Sequence, residues 1–171
     1  MTIKNCNLDI HIRPSVVKDI DKFNEIETAC FSLKYRYGPS ILLSLIETAM
    51  ENMALTAQYN DSIVGFIIGE IDYEQGKLGR IITIQVDPLF QRKSIGHQLL
   101  SSIENQFIIC GADSIELHVH FQNETAISFY KNHGYECKKQ LKDYYSRQEH
   151  ALLMQKKKLH DKKEKENPGN F

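Results

Sequence analysis

Two stretches of this sequence carry side chains whose types and spacing suit chemistry. The first is Gln91-Arg92-Lys93-Ser94-Ile95-Gly96-His97-Gln98-Leu99-Leu100. Backbone N–H groups at a helix start lack intrahelical partners and lie at the positive end of the helix dipole, so they hold phosphate oxygens well. Arg92 and Lys93 add positive charge beside such a cradle, and Gly96 lets a ligand come close to the backbone. By itself, a strand-to-helix turn with two basic residues often binds nothing. The second stretch is Leu117-His118-Val119-His120, where the histidines recur at the period of a β-strand and so share one face. An imidazole titrates near neutrality, which suits a general base; a hydrogen-bonded core residue is the competing reading. Two histidines on one face also suggest a metal, but no third ligand stands at a convincing spacing, so no metal is expected. Further along, Tyr144 and Tyr145 combine apolar area with hydroxyl groups, a pairing suited to gripping a short peptide end.

These groups need a scaffold, and the sequence supplies one of alternating strands and helices. Residues 9–13 alternate like a short strand ending at Pro14. Ser15 is expected to cap a helix whose apolar stripe is Val16, Ile20, Phe23, Ile26 and Ala29. A loop over 31–39 precedes a second helix, opened by Ser40 and carrying Ile41, Leu42, Leu45, Ile46 and Ala49. Residues 54–59 and 63–71 read as a hairpin turned at Asn60-Asp61. A strand over 79–86 ends at Asp87-Pro88, and a long helix over 95–110 stops at Gly111. A strand at 115–121 and a helix at 124–132, stopped by Gly134, follow. Final strands at 135–141 and 151–155 flank a loop over 142–150. The order predicts an α/β fold with a central mixed sheet and helices on its faces.

Length and composition bound the rest. At 171 residues, one domain is expected. With 21 basic and 22 acidic residues, the net charge of −1 argues against a specific nucleic-acid binder. Cys6, Cys30, Cys110 and Cys137 lie far apart with no C-x-x-C pair, which reads as reduced thiols, not a disulfide or zinc scaffold. No apolar run is long enough to cross a membrane, and Met1-Thr2-Ile3-Lys4-Asn5 lacks a signal-like apolar segment, so a cytoplasmic home is expected. The body is placed at 1–159 and a charged, solvated tail at 160–171. Docking of that tail, for example on ribosomal RNA, is a less favoured reading.

The two chemical stretches also carry a family resemblance. Gln91-x-x-Ser94-x-Gly96 resembles the pyrophosphate-binding loop of the GNAT superfamily, with Ser94 where that family usually has glycine. If the backbone there has φ > 0, Ser94 is strained; if it is already helical, Ser94 is harmless, and the helix start favours the second. The run Leu117-His118-Val119-x-x-x-Asn123-x-x-Ala126-Ile127-x-Phe129-Tyr130 is similar to that of protein N-terminal acetyltransferases. The pattern continues through Gly134-Tyr135 to Asp143-Tyr144-Tyr145, like the NatE and NatA catalytic subunits and their archaeal and RimI-type relatives. It covers residues 10–159.

That resemblance implies the GNAT fold, acetyl-CoA as co-substrate, and acetyl transfer to a protein α-amine by direct attack in a ternary complex. It implies His118 as general base, usually through a water, and Tyr130 as proton donor to the leaving thiolate; packing within its helix is the other reading of Tyr130. Asn123 would contact the cofactor arm, though an ordinary N-cap explains it equally well. The cofactor would be held by Gln91, Arg92, Lys93, Ser94, Ile95, Gly96, His97, Asn123 and Tyr130. A backbone N–H around Ile84, Gln85 and Val86 would meet the developing negative charge. Phe31, Leu33 and Tyr35 would line an apolar acceptor pocket, and Tyr144 and Tyr145 would close over the peptide backbone. Ser32 replaces a proline of the NatE-like pattern, and Arg80 stands where a tyrosine partner of the histidine is expected. Glu27 on the first helix is the substitute for that second catalytic group. Partners would be protein N-termini, with a ribosome or auxiliary subunit as a further candidate. The competing functions are acetylation of a small amine or a lysine, and a non-catalytic acetyl-CoA-binding subunit.

Overall fold

The alternating and helical periodicities become seven strands and four α-helices in a computed structural model that describes residues 8–74 and 76–157. The stretch expected as a tail, 160–171, lies outside the described residues, as does Cys6. The elements are β1 (Ile10–Pro14), α1 (Ile20–Cys30), α2 (Pro39–Thr48), β2 (Ala54–Tyr59), β3 (Ser62–Asp72) and β4 (Leu78–Val86). They continue as α3 (Ile95–Ile109), β5 (Ser114–His120), α4 (Glu124–Asn132), β6 (Glu136–Ser146) and β7 (Glu149–Lys157). The strands form one mixed sheet ordered β1-β2-β3-β4-β5-β7-β6. This is the α/β architecture expected from the sequence. The chain divides into two compact units, Met1–Glu70 with Ile82–Gln106, and Ile71–Ile81 with Phe107–Phe171.

In the first unit, β1 pairs antiparallel with β2, and β2 with β3 through a turn in which Asn60 takes φ of 51°. Phe23, Ile26, Leu42, Ala54, Phe66 and Ile68 form its core, with the rings of Phe23 and Phe66 stacked 4.0 Å apart. At Gly65 an added Cβ would sit 2.7 Å from the Gln85 carbonyl oxygen, so only glycine permits that backbone approach. Asp19 is 3% exposed and ties several elements together. Its carboxylate takes a bidentate pair from Arg13 at 2.8 and 2.9 Å, the Val16 N–H at 3.0 Å and the Thr56 hydroxyl at 3.0 Å. Burial alone would raise the Asp19 pKa; these donors together hold it below the ordinary carboxylate value.

Both expected helix starts need correction. Ser15 does not cap α1: its N–H continues to the Ala54 carbonyl at 2.9 Å and its hydroxyl meets Thr56 at 2.9 Å. A short 3-10 turn at Val17–Asp19 follows, which leaves Val16 48% exposed, off the expected stripe. Ala29 is also exposed, and the neighbouring Cys30 packs on the core instead. Helix α2 starts at Pro39, not Ser40, with Gly38 as N-cap; Ile41 faces outward at 52% exposure while Leu42 is buried.

In the second unit, the parallel ladder of β4 and β5 covers Leu78–Ile81 and Ser114–Leu117, and β7 pairs antiparallel along all of β5. The expected glycine stops appear as Schellman closures. Gly111 at φ of 80° follows α3, with Ala112 N–H on the Phe107 carbonyl and Gly111 N–H on Ile108. Gly134 at 86° repeats the pattern, with Tyr135 N–H on Tyr130 and Gly134 N–H on Lys131. The expected loop over 142–150 is instead mostly strand: β6 runs to Ser146, and β7 starts at Glu149. Arg147 and Gln148 make the turn, closed by the Gln148 N–H donating 2.6 Å to the Asp143 carboxylate.

Candidate active site

In the first unit β4 delivers the chain to the loop between β4 and α3. Asp87 caps the short turn Pro88–Phe90 by accepting the Leu89 N–H at 2.9 Å. The Gln91 amide donates to the Val86 carbonyl at 3.1 Å, and Lys93 donates to the Leu89 carbonyl at 3.1 Å, with its ammonium 4.9 Å from the Phe90 ring centre. These two side chains brace the loop itself, while the Arg92 side chain is exposed. The expectation that Ser94 is already helical is overturned. Ser94 has φ of 63° and Arg92 has φ of 59°, both left-handed. The chain leaves an extended Gln91 and must enter α3 within a few residues, and these left-handed residues turn it. Such turns align successive N–H groups into an anion-binding concavity. Ile95, 1% exposed, anchors the first turn of α3, which the Gln98 N–H closes onto the Ser94 carbonyl at 3.0 Å. Gly96 and the exposed His97 follow on that turn, and the loop's chemistry fits a pyrophosphate.

Glu27 lies on α1 with no exposure. Its carboxylate accepts the Tyr37 N–H at 3.0 Å, and the Gln85 amide nitrogen lies 3.5 Å from it and 3.3 Å from the Thr83 hydroxyl. Burial raises the Glu27 pKa against the pull of these bonds and of Arg36. The Tyr37 bond fixes the segment that carries Phe31, Leu33 and Tyr35. Phe31 is half-buried, Leu33 is 77% exposed, and the Tyr35 ring sits 5.1 Å from the Lys34 ammonium. On β4, Gln85 is buried, whereas Ile84 and Val86 are half-buried. Cys30 donates to the Val86 carbonyl at 3.4 Å, and burial, with Glu27 and Asp87, pushes its thiol up to about 11.

In the second unit β5 buries Ile115, Leu117 and Val119, which leaves Glu116, His118 and His120 on the other face, as the strand period requires. The His118 Nδ1 lies 3.0 Å from the Tyr144 hydroxyl, with ring centres 4.7 Å apart. Burial holds the His118 imidazole below its ordinary pKa; Glu116 opposes, and Arg80 and Lys139 push the same way as burial. Arg80 is engaged by Glu116 at 3.0 Å and Asp72 at 3.7 Å. His120 accepts the Gln122 N–H on Nδ1 at 3.3 Å, so its Nε2 carries the hydrogen that faces Glu149 at 2.6 Å. The Tyr145 ring lies 5.8 Å from that of His120.

Tyr130 is 6% exposed and packs edge-on against Tyr135 and Phe129. While the neighbouring Phe129 is half-buried, Tyr130 is the buried residue of α4. Burial lifts its hydroxyl well above the usual phenol value, so it stays protonated. Asn123 is the N-cap of α4, accepting the Ala126 N–H at 3.1 Å. Among the described residues no His, Cys, Asp and Glu cluster is arranged to hold a metal, and no helix is long and apolar enough to cross a membrane. The sequence reading did not anticipate Glu149, the contact of Tyr144 with His118, or the pairing of Arg80. Glu149 becomes legible only once the two-residue turn sets the hairpin register and carries it back to His120.

Residues 20–135 match the acetyltransferase (GNAT) family. The chain is 34% identical over 148 residues to an uncharacterized N-acetyltransferase of Methanocaldococcus jannaschii, covering 86% of this chain and 91% of that protein. It is 29% identical over 145 residues to N-alpha-acetyltransferase 50 of Danio rerio, covering 82% of this chain and 80% of that protein. The solved structure of Ard1 from Thermoplasma volcanium is similar with a TM-score of 0.79 at 28% identity, over 86% of this chain and 97% of that chain. The chain belongs to the GNAT acetyltransferase family and is an acetyl-CoA-dependent N-acetyltransferase.

Proposed function

We propose that this enzyme acetylates the α-amino group of protein N-termini, with His118 as general base. The observation that carries the reading is the state of His118: a half-buried imidazole on β5, held below its ordinary pKa and touched by a hairpin tyrosine. An imidazole kept neutral at pH 7 accepts a proton. An α-amine, with a pKa near 8, needs little help, because roughly a tenth is already neutral at pH 7. A lysine amine, at about 10.4, would need far more. The relationship to N-alpha-acetyltransferase 50 of Danio rerio supports the same acceptor.

In this mechanism the left-handed turn at Arg92 and Ser94 and the start of α3 hold the pyrophosphate of acetyl-CoA. The amine attacks the thioester carbonyl; the new N–C bond forms, the C–S bond breaks, and the amine proton passes to His118. A backbone N–H of the Ile84–Val86 stretch offers a donor to the carbonyl oxygen as negative charge develops. Tyr130, protonated in its buried setting, is the donor assigned to the thiolate. Phe31, Leu33 and Tyr35 contact the acceptor's first side chain, and Tyr144 and Tyr145 its backbone. Glu27 is spent on Tyr37 and Gln85, a positioning role for the acceptor segment.

The test is His118→Ala assayed with acetyl-CoA and peptides that differ at residues one and two, beside a peptide blocked at its N-terminus but carrying a lysine. General-base assistance contributes about a hundredfold to ten-thousandfold, so kcat should fall by that factor at pH 7 with cofactor affinity kept. Higher pH should recover part of the loss. Wild-type kcat and pH dependence in the variant would remove His118 from the mechanism, and turnover confined to the blocked lysine peptide would overturn the acceptor.

A further inference from the structure

The hydroxyl of Tyr144 lies 3.0 Å from the Nδ1 atom of His118, and the hairpin that carries Tyr144 is secured independently of that contact. At one point His120 holds Glu149 at 2.6 Å, with the Tyr145 ring beside it. At another, the Asp143 N–H donates to His150 Nδ1 at 3.0 Å while the Asp143 carboxylate accepts the Gln148 N–H at 2.6 Å. Tyr144 is 48% exposed, yet its hydroxyl has a defined seat. A tyrosine used only to cover a peptide has no need to occupy a ring nitrogen of the histidine.

Occupying Nδ1 has a chemical consequence. A neutral imidazole carries one hydrogen, and the bond made by one nitrogen decides which tautomer is present. With Nδ1 taken by Tyr144, only Nε2 is left to receive the amine proton. It can do so only when the hydrogen sits on Nδ1 and is donated to the tyrosine oxygen. In the reverse arrangement the phenol donates to Nδ1, Nε2 carries the hydrogen, and the ring has no lone pair to offer. We propose that Tyr144 is a positioning residue: its oxygen accepts the Nδ1 hydrogen of His118, while its own O–H is given to a backbone carbonyl of the bound peptide. Hydrogen bonds in series polarise one another, so a phenol that donates to the peptide accepts better from the imidazole. Peptide engagement and readiness of the base are then one event. The charged groups facing His118 are Glu116 on its own strand, Arg80 on β4 and Lys139 on β6, while Nδ1 meets the Tyr144 hydroxyl.

This inference rests on His118 being the base, and the experiment separates the two. Tyr144→Phe keeps the ring and removes only the hydroxyl. With acetyl-CoA and a free N-terminal peptide, kcat should fall about tenfold, the size of one lost hydrogen bond near a charge. The acidic limb of the kcat profile, which reports the peptide complex, should move to lower pH, because the lost acceptor stabilised the imidazolium. In nitrogen-15 spectra of the wild type saturated with CoA and peptide, His118 should show the Nδ1–H tautomer. A rise in peptide KM with kcat unchanged would reduce Tyr144 to a clamp. A limb moving to higher pH, or an Nε2–H tautomer in the spectra, would mean that the phenol donates, and the proposal fails. In either case a rate loss in His118→Ala keeps the base itself in place, whereas unchanged turnover in His118→Ala refutes the base reading first.

Discussion

Replacing Ser94 with glycine should stabilise the protein. Ser94 holds φ of 63° at the turn into α3, where the Cβ of an L-residue crowds the following carbonyl. That crowding costs about 1–2 kcal/mol for a non-glycine residue. Glycine removes it, but its freer unfolded chain returns about 0.5–1 kcal/mol. The difference leaves a gain of about 0.5–1 kcal/mol, which in a chain of this length raises Tm by roughly 1–4 °C. Ser94→Ala keeps the Cβ and should not gain. If, as proposed, the loop holds acetyl-CoA through backbone N–H groups, its affinity by calorimetry should stay within about threefold of wild type, under 0.7 kcal/mol. The assay is thermal unfolding of the three proteins side by side, with urea midpoints as a check. If Ser94→Gly loses about 0.5–1 kcal/mol, as glycine does at an ordinary backbone position, Ser94 does not hold a left-handed backbone.

Gly65→Ala should destabilise by about 1–3 kcal/mol, read as a lowered urea midpoint, because its Cβ would meet the Gln85 carbonyl oxygen at 2.7 Å and backbone cannot step aside cheaply. Asp19→Asn should cost about 2–3 kcal/mol at pH 7, somewhat below a fully buried pair because the Arg13 side chain keeps 26% exposure. The sign follows from the lowered folded-state pKa: the Asp19 contribution is full above the unfolded carboxylate value of about 3.9 and is lost as pH falls through the folded value. The Tm gap between wild type and Asp19→Asn should therefore hold constant from neutral down to mildly acidic pH and then narrow. A gap that widens on acidification would contradict it.

Elements whose cause is local were legible in the sequence. Gly111 and Gly134 stop their helices because a left-handed closing residue is a local demand, and the period of two on β5 placed His118 and His120 on one face. Where tertiary bonds compete, local rules lost. Ser15 has the right chemistry for a cap, but Thr56, 41 residues away, takes its hydroxyl. Residues 142–146, the second half of β6, read as a loop for another reason. Strand β6 is an edge strand, exposed along almost its whole length, so no alternation of burial marks it. Beyond the strand expected at 135–141, its polar sequence reads as a loop until β7 is present to pair with it.

The same division runs through the site. The resemblance placed a tyrosine partner for the histidine where Arg80 stands, and Glu27 was the substitute offered. The structure ties Arg80 to Glu116 and Asp72, and buries Glu27 against Tyr37. The phenol against His118 instead comes from Tyr144, 26 residues along the chain, across a hairpin whose register shifts between Leu141 and Ser146. No spacing rule reaches through a bulge, because each extra residue in one strand turns every later side chain to the other face. A histidine base needs one nitrogen oriented by a partner and the other left to work. That requirement fixes the geometry at the imidazole and leaves open the strand that supplies the partner. On the proposed mechanism Arg80 can therefore stand in the tyrosine position without emptying the partner's role, because its charge is offset by two carboxylates and a hydroxyl arrives at Nδ1 from the hairpin.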